Sequence, residues 1–449
     1  MLISDILHAR VGLLGFGREG RATLDLLRRR GHPGEVAVFS DTALALPPGA
    51  IPYIGGAGLA AFKEIDVLIR SPGFPPHHPA CQFAQALQLP QTTATHLFLA
   101  ELRHNGSPVI GITGSKGKST TSLLTQRILS QAGQPAVLVG NIGLPALDYL
   151  DDILAQHAIA VLEMSSYQCA DLPSGAAPSI ACLLDLFPEH LDWHGGEAEY
   201  YAAKAMIAHA QTSGDLFLCN ARSAHQFAAA PPPSRMELIN HVDSLHFASG
   251  WFRRGEAALF TDRDMRLLGA HNRENAVAAF AAAERHGAKP EHWQIVLSEC
   301  DGLPYRLQDE GLHAGVRFIN DSLSTAPQAA AAALQALGEN AKTLIAGGYD
   351  RGYQPDALVQ AILQSNIKHL ILLPETGRAI AQAARDAGCS VHIHEVEDLD
   401  AAVALAFALT PRGGACLFSP GAPSYHQYRS FEERGQHFRR LITAHAAHE

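Results

Sequence analysis

The chain has 449 residues, of which 47% are hydrophobic and 17% charged, and its formal net charge at pH 7 is −10. That length is more than one hydrophobic core usually serves, so it predicts two to four domains. The net negative charge argues against nucleic acid or an anionic membrane as a partner. No apolar run is long enough for a membrane span. The seven cysteines form no CxxC pair and no N-terminal signal is visible, so we expect a cytoplasmic protein without a disulfide framework.

The first predicted strand, Val11–Leu14, is followed by a glycine-rich turn at residues 15–20 and then by a helix. The G-x-G-x-x-G spacing between a strand and a helix is typical of a dinucleotide-type βα turn. A second strand at residues 36–39 ends at Asp41, where an acidic residue can contact the sugar or base of a nucleotide. This signal is weak by itself, and a purely structural turn explains it equally well. Residues 1–97 are therefore predicted to form a small α/β domain.

The strongest single motif is VIGITGSKGKSTT at residues 109–121. An apolar strand leads into a glycine-rich turn that ends at Gly117, and Lys118 then opens a helix. In such a phosphate-binding loop, backbone N–H groups surround the phosphates, the lysine reaches their oxygens and a hydroxyl is left for Mg²⁺. The usual spacing would need a glycine at Ile112, so a glycine-rich turn with a solvated lysine remains the alternative. We predict an ATP site.

Polar side chains follow several later strands. Glu163 comes at the end of an apolar strand, where ligands bind in doubly wound sheets, and is a Mg²⁺ candidate; it could equally be a helix N-terminal carboxylate. Residues 185–194 follow another strand and contain several metal-competent side chains, of which one or two are expected to be ligands. Lys204 lies in an alanine-rich helix, where a lone lysine would usually extend to water. Apolar and polar residues alternate weakly over residues 245–268, which predicts short antiparallel strands. A helix is predicted over residues 276–286.

From residue 303 onward, strands and helices alternate again, which predicts another mostly parallel α/β domain. The expected fold class is therefore α/β with three domains. These are a Rossmann-like domain at residues 1–97, a central P-loop domain with a parallel sheet at residues 98–302, and a C-terminal Rossmann-like domain at residues 303–449.

Ten motifs in order carry a family resemblance over essentially the whole chain. They are GITGSKGKST, GNIG, LEMSSYQ, PEHLDWHG, YYAAKAMI, HNRENA, LPYR, NDS, a GG turn after a strand, and SPGAPSYHQYRSFEERG. Together they resemble the Mur ligase family, in particular the enzymes that add glutamate to UDP-N-acetylmuramoyl-L-alanine in peptidoglycan synthesis. The resemblance implies an ATP-dependent amide ligase that works through an acyl phosphate. It also implies a cytoplasmic monomer whose partners are small molecules, with the first domain holding the UDP group.

The resemblance further implies a role for individual residues. ATP would contact Gly114, Ser115, Lys116, Gly117, Lys118, Ser119, Thr120, Asn275, Arg306 and Asp321. Two Mg²⁺ ions would be held by Ser119, Glu163, His190 and Lys204, the last as a carbamate, and Lys118, Glu163, His190 and Lys204 would be catalytic. The UDP-muramoyl substrate would contact Gly17, Arg18, Glu19, Asp41, Thr42, Ser71, Gly73 and Asn141. Glutamate would contact Thr325, Arg351, Ser424 and Phe431.

The glutamate pocket departs from the family pattern. Ligases that add D-glutamate carry NDSKATN, whereas this chain has Leu323 in place of the lysine, and their second lysine is here Arg351. Arginine binds a carboxylate through two parallel hydrogen bonds and lysine acts as a point charge, so this exchange is not neutral. Losing the first lysine removes one charge that would hold a carboxylate or phosphate oxygen. Our hypothesis is a pocket for L-glutamate. The alternatives are a D-glutamate ligase, a Mur-like ligase for another acceptor such as a folylpolyglutamate synthase, and a non-catalytic nucleotide-binding relative.

Overall fold

The computed structural model describes residues 1–142, 144–170, 172–267, 269–350 and 354–446. The chain divides into two compact units: residues 1–264 with 271–298, and residues 265–270 with 299–449. Within the described part of the chain, none of the helices has the length and apolar character that crossing a membrane requires.

The first sheet of the first unit has five parallel strands in the order β3-β2-β1-β4-β5. Its elements are α1 (Ile3–Ile6), β1 (Val11–Leu14), α2 (Arg18–Arg29), β2 (Val36–Ser40), β3 (Ala50–Ile54), α3 (Gly55–Gly58), β4 (Val67–Arg70), α4 (Pro79–Ala86), β5 (Gln91–Thr92) and α5 (Ala94–His104). Helices cover both faces, so Leu13 and Leu14 of β1 pack into separate apolar clusters. The strand order reverses between β1 and β4, which is where a crevice opens at the carboxyl ends of the strands.

The second sheet of this unit has six parallel strands in the order β11-β10-β9-β6-β8-β7. Its elements are β6 (Val109–Thr113), α6 (Lys118–Gln131), β7 (Ala136–Gly140), α7 (Leu150–Gln156), β8 (Ile159–Glu163), α8 (Ser166–Cys169), β9 (Ile180–Leu183), α9 (Leu191–His194), α10 (Glu197–His209), β10 (Leu216–Asn220) and β11 (Arg235–Ile239). The fully buried strand β6 lies between β8 and β9. The loops that follow these three strands therefore meet at one edge of the sheet.

A small antiparallel sheet and two helices complete the unit. These are β12 (Leu245–Ala248), β13 (Trp251–Arg254), β14 (Ala257–Thr261), α11 (Ala270–Ala283) and α12 (Pro290–Glu299). The rings of Phe280 and Trp293 stack with centroids 4.3 Å apart and fix the two helices against the sheet. The short antiparallel strands predicted over residues 245–268 are thus confirmed and end at Thr261. The helix predicted over residues 276–286 begins earlier, at Ala270, so the HNREN sequence is helical.

The second unit is built on a mixed sheet in the order β15-β16-β20-β17-β18-β19, in which β15 is antiparallel to β16. Its elements are β15 (Gln308–His313), β16 (Val316–Asn320), α13 (Pro327–Leu337), β17 (Ala341–Gly348), α14 (Asp356–Leu363), β18 (His369–Glu375), α15 (Thr376–Asp386), β19 (His392–Glu395), α16 (Leu399–Leu409), β20 (Ala415–Phe418) and α17 (Phe431–Ala446). Apolar clusters lie on both faces of the sheet.

The predicted α/β class with mostly parallel sheets is confirmed. The three-domain division at residues 97 and 302 stays a proposal, and residue 97 itself lies within α5.

Candidate active site

The phosphate-binding loop connects β6 to α6. Gly114 has φ +152° and Gly117 has φ +85°, and a Cβ atom at Gly117 would lie 2.2 Å from Asn275 Oδ1. Glycine is therefore required here by the backbone angle and by the lack of space. The Lys118 ammonium donates to the carbonyls of Gly114 at 2.9 Å and Ser115 at 2.8 Å, so it lies across the loop at the start of the helix. This arrangement presents N–H groups, a helix N-terminus and a cation to a phosphate.

Glu163 ends β8 beside this loop and is 1% exposed. Its Oε1 accepts a hydrogen bond from Asn141 Nδ2 at 2.9 Å, whereas Oε2 is buried and has no hydrogen-bond partner among the described residues. A carboxylate oxygen left in this state is costly unless a cation or donor satisfies it. The observation fits a divalent cation, for which carboxylate oxygen is a preferred ligand.

Lys204 of α10 is only 2% exposed. Its ammonium makes one long hydrogen bond, 3.4 Å to Thr113 Oγ1, and lies 5.1 Å from the centre of the Tyr200 ring. Burial, and secondly the charge of Lys118, lower the pKa of Lys204 to about 7. The expectation that this lysine extends to water is wrong, because α10 turns this face toward β6. A substantial fraction of the amine is therefore neutral near pH 7.

His190 lies in the loop after β9, with its ring centre 5.1 Å from that of Tyr167. Burial lowers its pKa, so the imidazole is neutral near pH 7 and has a lone pair available for a metal or a hydrogen bond. Trp193 packs on Tyr167, and His194 Nε2 is 3.0 Å from Ser166 Oγ. Among the described residues, no three His, Cys, Asp or Glu side chains converge as a ready-made metal site. Mg²⁺ typically takes only one or two carboxylates and completes its shell with phosphates and water, and Glu163, His190 and the half-buried Ser119 fit that pattern.

A hydroxyl pair that the sequence did not reveal joins the loop to the Lys204 helix. Ser115 Oγ accepts from the Phe187 N–H at 2.8 Å and lies 2.7 Å from the Tyr200 hydroxyl. Tyr200 is one helical turn before Lys204, and this i, i+4 spacing in YYAAK was the available signal. Lys116 also pairs with Glu189, the neighbour of His190, at 2.5 Å. The loop, α10 and the His190 segment are thus tied together by side chains.

On the other side of the phosphate-binding loop, Asn275 of α11 lies next to a cluster of charged side chains. Arg222 pairs with both Asp185 and Glu274, the residue before Asn275. The Asp185 carbonyl in turn accepts from the Ser115 N–H at 2.8 Å. Asn275 lies against Gly117, and its contact with ATP stays a prediction.

The glycine-rich turn after β1 meets the turn after β4. The Ser71 hydroxyl donates to the Gly15 carbonyl at 3.3 Å, and a Cβ atom at Gly17 would meet nothing within 4 Å. Gly17 and Arg18 are exposed, and so are the first-sheet positions Asp41 and Thr42; Asp41 lies 3.4 Å from His78. Gly73 is likewise in open space.

Glu19 stands apart from the other residues assigned to the UDP-muramoyl substrate. It points toward the second sheet, where Gln168 Nε2 donates to its Oε1 at 2.7 Å, and burial raises its pKa. Its Oε2 is buried without a hydrogen-bond partner among the described residues. Asn141, after β7, is held by Glu163 beside the phosphate-binding loop.

In the second unit, Asp321 is a buried hub. It accepts from Ser324 Oγ at 2.5 Å, from Ser419 Oγ at 2.6 Å and from the Leu307 N–H at 3.1 Å, and burial raises its pKa. Arg306 is near enough to act on that pKa in the opposite direction. The geometry therefore holds the loops after β16 and β20 together at Asp321.

Ser424 lines a small cavity together with Gly348, Tyr349 and Arg434. Arg434, which the sequence did not single out, is 2% exposed and donates to the Ser322 carbonyl at 2.9 Å and the Ala422 carbonyl at 3.0 Å. Of the other glutamate candidates, the Phe431 carbonyl accepts from Ser322 Oγ at 2.8 Å and Thr325 is half-buried. Arg351 lies outside the described residues.

The first unit is thus a P-loop nucleotide-binding unit of the α/β class, with a buried carboxylate and a buried lysine beside the loop. Residues 112–283 match the Mur ligase middle domain, and residues 305–421 match the Mur ligase glutamate ligase domain. The chain is 36% identical to a UDP-N-acetylmuramoyl-L-alanine--L-glutamate ligase of Salinispora tropica, over 98% of this chain and 99% of that protein. A protein of the same name from Xanthomonas euvesicatoria is 36% identical, over 98% of this chain and 96% of the relative. The chain belongs to the Mur ligase family, and the resemblance seen in its motifs is confirmed.

Solved structures show the same fold at low sequence identity. The UDP-N-acetylmuramate-alanine ligase of Thermotoga maritima superposes with a TM-score of 0.59 at 15% identity, covering 98% of this chain and 100% of that one. The UDP-N-acetylmuramoylalanyl-D-glutamyl-2,6-diaminopimelate--D-alanyl-D-alanyl ligase of Acinetobacter baumannii gives 0.60 at 16% identity, with coverage of 98% and 91%. The family is ATP-dependent, and one T. maritima member of similar fold was solved with ADP.

Proposed function

We propose that this protein joins L-glutamate to UDP-N-acetylmuramoyl-L-alanine at the expense of ATP, in the cytoplasmic synthesis of peptidoglycan precursors. The substrates are those in the names of relatives that match nearly the full length of the chain. The observation that carries the chemistry is the unsatisfied Glu163 Oε2 beside a P-loop lysine and a buried Lys204 of lowered pKa.

The proposed reaction has two transfers. An oxygen of the L-alanyl carboxylate attacks the γ-phosphorus of ATP, the bond to the β-phosphate oxygen breaks and ADP leaves. The glutamate amine then attacks the acyl carbon, an amide forms and inorganic phosphate leaves with the oxygen taken from the carboxylate. Both steps bring negatively charged groups together, so positive charge and positioning are the main catalytic requirements.

The residues around the loop meet these requirements in distinct ways. Lys118 and the loop N–H groups hold the phosphates. Ser119, Glu163, His190 and Lys204 would hold Mg²⁺ at two positions, and the ion would supply positive charge against the phosphates. Lys204 can serve only in an altered form, because an ammonium repels a metal ion. Its lowered pKa leaves a neutral amine that can add CO₂ with loss of one proton to solvent, and the resulting carbamate is an anion.

The choice of L-glutamate rests on the relatives' names and on two positions in the second unit. Leu323 replaces a lysine of the D-glutamate pattern and is half-buried; its N–H donates to the Tyr305 carbonyl at 2.9 Å. The cation at Leu323 is lost and the second lysine of the pattern is Arg351, so the charge that would hold a carboxylate differs from that of the D-glutamate ligases. Enantiomers carry the same groups in different directions, so a relocated charge is the kind of change that would select between them.

The remaining residue assignments, the three-domain division and a monomeric state complete the proposal. All the proposed ligands are small molecules, and sedimentation would test the monomer. The cytoplasmic location is supported by seven cysteines that are all unpaired, six of them buried.

Phosphate release tests the function directly. The purified protein is supplied with ATP, Mg²⁺ and UDP-N-acetylmuramoyl-L-alanine, with L-glutamate and D-glutamate in separate reactions. We expect turnover with L-glutamate alone. Turnover with D-glutamate alone would retain the ligase and overturn the stereochemical proposal, and no turnover with either would overturn the function.

A further inference from the structure

Ser424, one of the glutamate candidates, begins a tight turn in the second unit. The Tyr428 N–H donates to the Ser424 carbonyl at 3.0 Å and closes the turn of residues 424–428, which we call the Ser424 turn. Just before it, the Pro423 carbonyl accepts from the Tyr349 N–H at 3.1 Å, which joins this segment to the turn after β17. Ser424, Tyr349 and Tyr428 line the same small cavity. The position of Ser424 therefore depends on how the Ser424 turn is held.

The Ser424 turn contains a strained residue. His426 has φ +70°, a left-handed conformation that is unfavourable for a residue with a Cβ atom. Residues 425–427 are all exposed, so the tip of the turn has no buried side chains to keep it in place. A strained conformation of this kind persists only where the surrounding structure enforces it. Contacts between the Ser424 turn and the rest of the second unit must therefore supply the support.

Tyr428 ties the Ser424 turn to α17. Its ring packs against the apolar cluster on one face of the sheet, and its hydroxyl oxygen lies 2.9 Å from His437 Nδ1. Burial, and secondly the charge of Asp400, raise the pKa of Tyr428 to about 12. The hydroxyl therefore keeps its proton at neutral pH and can donate it to the imidazole.

Asp400 of α16 favours the tautomer that this bond requires. Its Oδ2 lies 3.6 Å from His437 Nε2, which favours a proton on Nε2 and leaves the Nδ1 lone pair to accept from Tyr428. Helices α16 and α17 both contribute to the apolar cluster on which the Tyr428 ring packs. The side chains of Tyr428 and His437 thus join the exposed Ser424 turn to two packed helices.

We propose that Tyr428 and His437 are positioning residues for the ligation, because the bond between them holds the Ser424 turn in the conformation that receives the amino-acid substrate. The inference rests on the proposed function, since it takes Ser424 as a glutamate contact. Its signature is a change in the KM for glutamate. The phosphate-binding loop and Lys204 belong to the first unit, so kcat and the KM for ATP should not follow.

Steady-state phosphate release by the full chain tests the proposal, with L-glutamate, ATP and UDP-N-acetylmuramoyl-L-alanine varied in turn. Tyr428→Phe keeps the ring and removes only the hydroxyl. It should raise the KM for L-glutamate about fivefold, since one hydrogen bond is lost, and leave kcat within about twofold. His437→Leu should have the same effect. His437→Asn, whose side-chain oxygen can accept in place of Nδ1, should restore most of the original KM.

A double variant and a matched control complete the design. Tyr428→Phe combined with His437→Leu should be no worse than either change alone, because both remove the same bond. His445→Leu is the control and should leave every KM unchanged, since His445 lies on the same helix and its Nδ1 bonds to the Leu441 carbonyl within that helix. Thermal unfolding checks that each variant is folded. If Tyr428→Phe is not, the contrast between His437→Leu and His437→Asn carries the test.

Two kinds of failure can be told apart. If the unmodified protein turns over L-glutamate but Tyr428→Phe and His437→Leu leave its KM unchanged, the positioning role is wrong and the proposed function stands. A fall in kcat at unchanged KM, or an equal rise in the KM of all three substrates, would also overturn the positioning role. Absence of turnover by the unmodified protein would overturn the proposed function and this inference with it.

Discussion

Lys204 and Arg434 are buried cations, one in each unit, and each is 2% exposed. Arg434 donates to two backbone carbonyls and to Ser322 Oγ, and its pKa falls through burial only to about 10. Lys204 has one hydrogen bond of 3.4 Å, and its pKa falls to about 7. The difference shows that burial alone does not determine what a cation does. An arginine whose three nitrogens all donate hydrogen bonds remains charged and holds loops together, whereas a lysine with one long hydrogen bond can lose its proton and react.

Replacing Lys204 should have the largest effect. Lys204→Ala and Lys204→Arg should both lower kcat about 10³-fold, because neither can carry the carbamate that completes the charged site. Added acetate should partly restore the alanine variant by placing a carboxylate in the space, and should not restore the arginine variant. Steady-state phosphate release measures both. Lys63→Ala, at an exposed lysine of the same unit, is the control and should retain full activity.

If Lys204→Arg were fully active, Lys204 would be only a buried cation like Arg434, and the comparison between the two would fail.

Replacing Arg434 should act on stability instead. Arg434→Met leaves the Ser322 and Ala422 carbonyls without their donor in a buried place, at a cost of about 3 kcal/mol in the free energy of unfolding. Guanidinium denaturation of the variant measures this cost. Lys204→Met, which loses one long hydrogen bond and relieves a desolvated amine, should change the free energy of unfolding by less than about 1 kcal/mol. If the two methionine variants lost the same free energy of unfolding, Arg434 would contribute no more to stability than Lys204.

The pH dependence of the carbamate is a further difference between Lys204 and Arg434. The pKa of Lys204 is lowered, so the folded protein favours the neutral amine; above about pH 7 the amine is available, and below it the ammonium form predominates. Carbamate formation from the amine releases one proton, and from the ammonium two. At a fixed, non-saturating concentration of dissolved CO₂, the carbamate should therefore change about tenfold per pH unit above pH 7 and about a hundredfold per pH unit below it. The ¹³C NMR signal after addition of labelled CO₂ measures it, with Lys204→Arg as the blank. A dependence that stays at about a hundredfold per pH unit all the way from pH 5 to 8 would contradict the lowered pKa.

The smallest effect is expected at the hydroxyl pair. Tyr200→Phe removes the bond to Ser115 but keeps the ring beneath Lys204, so it should cost about 1 kcal/mol and raise the KM for ATP a few-fold. ATP titration of the initial rate measures the change. Ser115→Ala should resemble Tyr200→Phe, and the double variant should cost less than the sum of the two if the hydroxyls act together. Strict additivity would show that they act separately.

Much of this was available from the sequence. Apolar runs that end in polar residues located β6, β8 and β9. The alanine-rich helix by itself favoured a solvent-exposed Lys204, and only the family resemblance assigned this lysine to the site. The edge strands β15 and β19 were not predicted, because QDEGLH and HIHE lack an apolar pattern of period two.

The contacts among distant residues were also out of reach. Ser115 and Tyr200 are 85 positions apart, and only the packing of α10 against β6 brings them within 2.7 Å. The burial of Glu19 against Gln168, 149 positions away, likewise depends on how the two sheets of the first unit pack. Sequence patterns report which face of an element is apolar, and they carry little information on which distant hydroxyl or amide will meet it.

The charge of Lys118 beside Lys204 has one more consequence. Lys118 lowers the pKa of Lys204, and the same ammonium is the group proposed to receive nucleotide phosphates. With the carbamate proposed at Lys204, nucleotide binding and CO₂ uptake would be coupled equilibria. By thermodynamic reciprocity, the factor by which a carbamate at Lys204 changes ATP affinity equals the factor by which ATP changes the affinity for CO₂. The ATP affinity of the ligase would then vary with dissolved carbon dioxide, and affinities measured in degassed and bicarbonate-equilibrated buffers would differ by that factor.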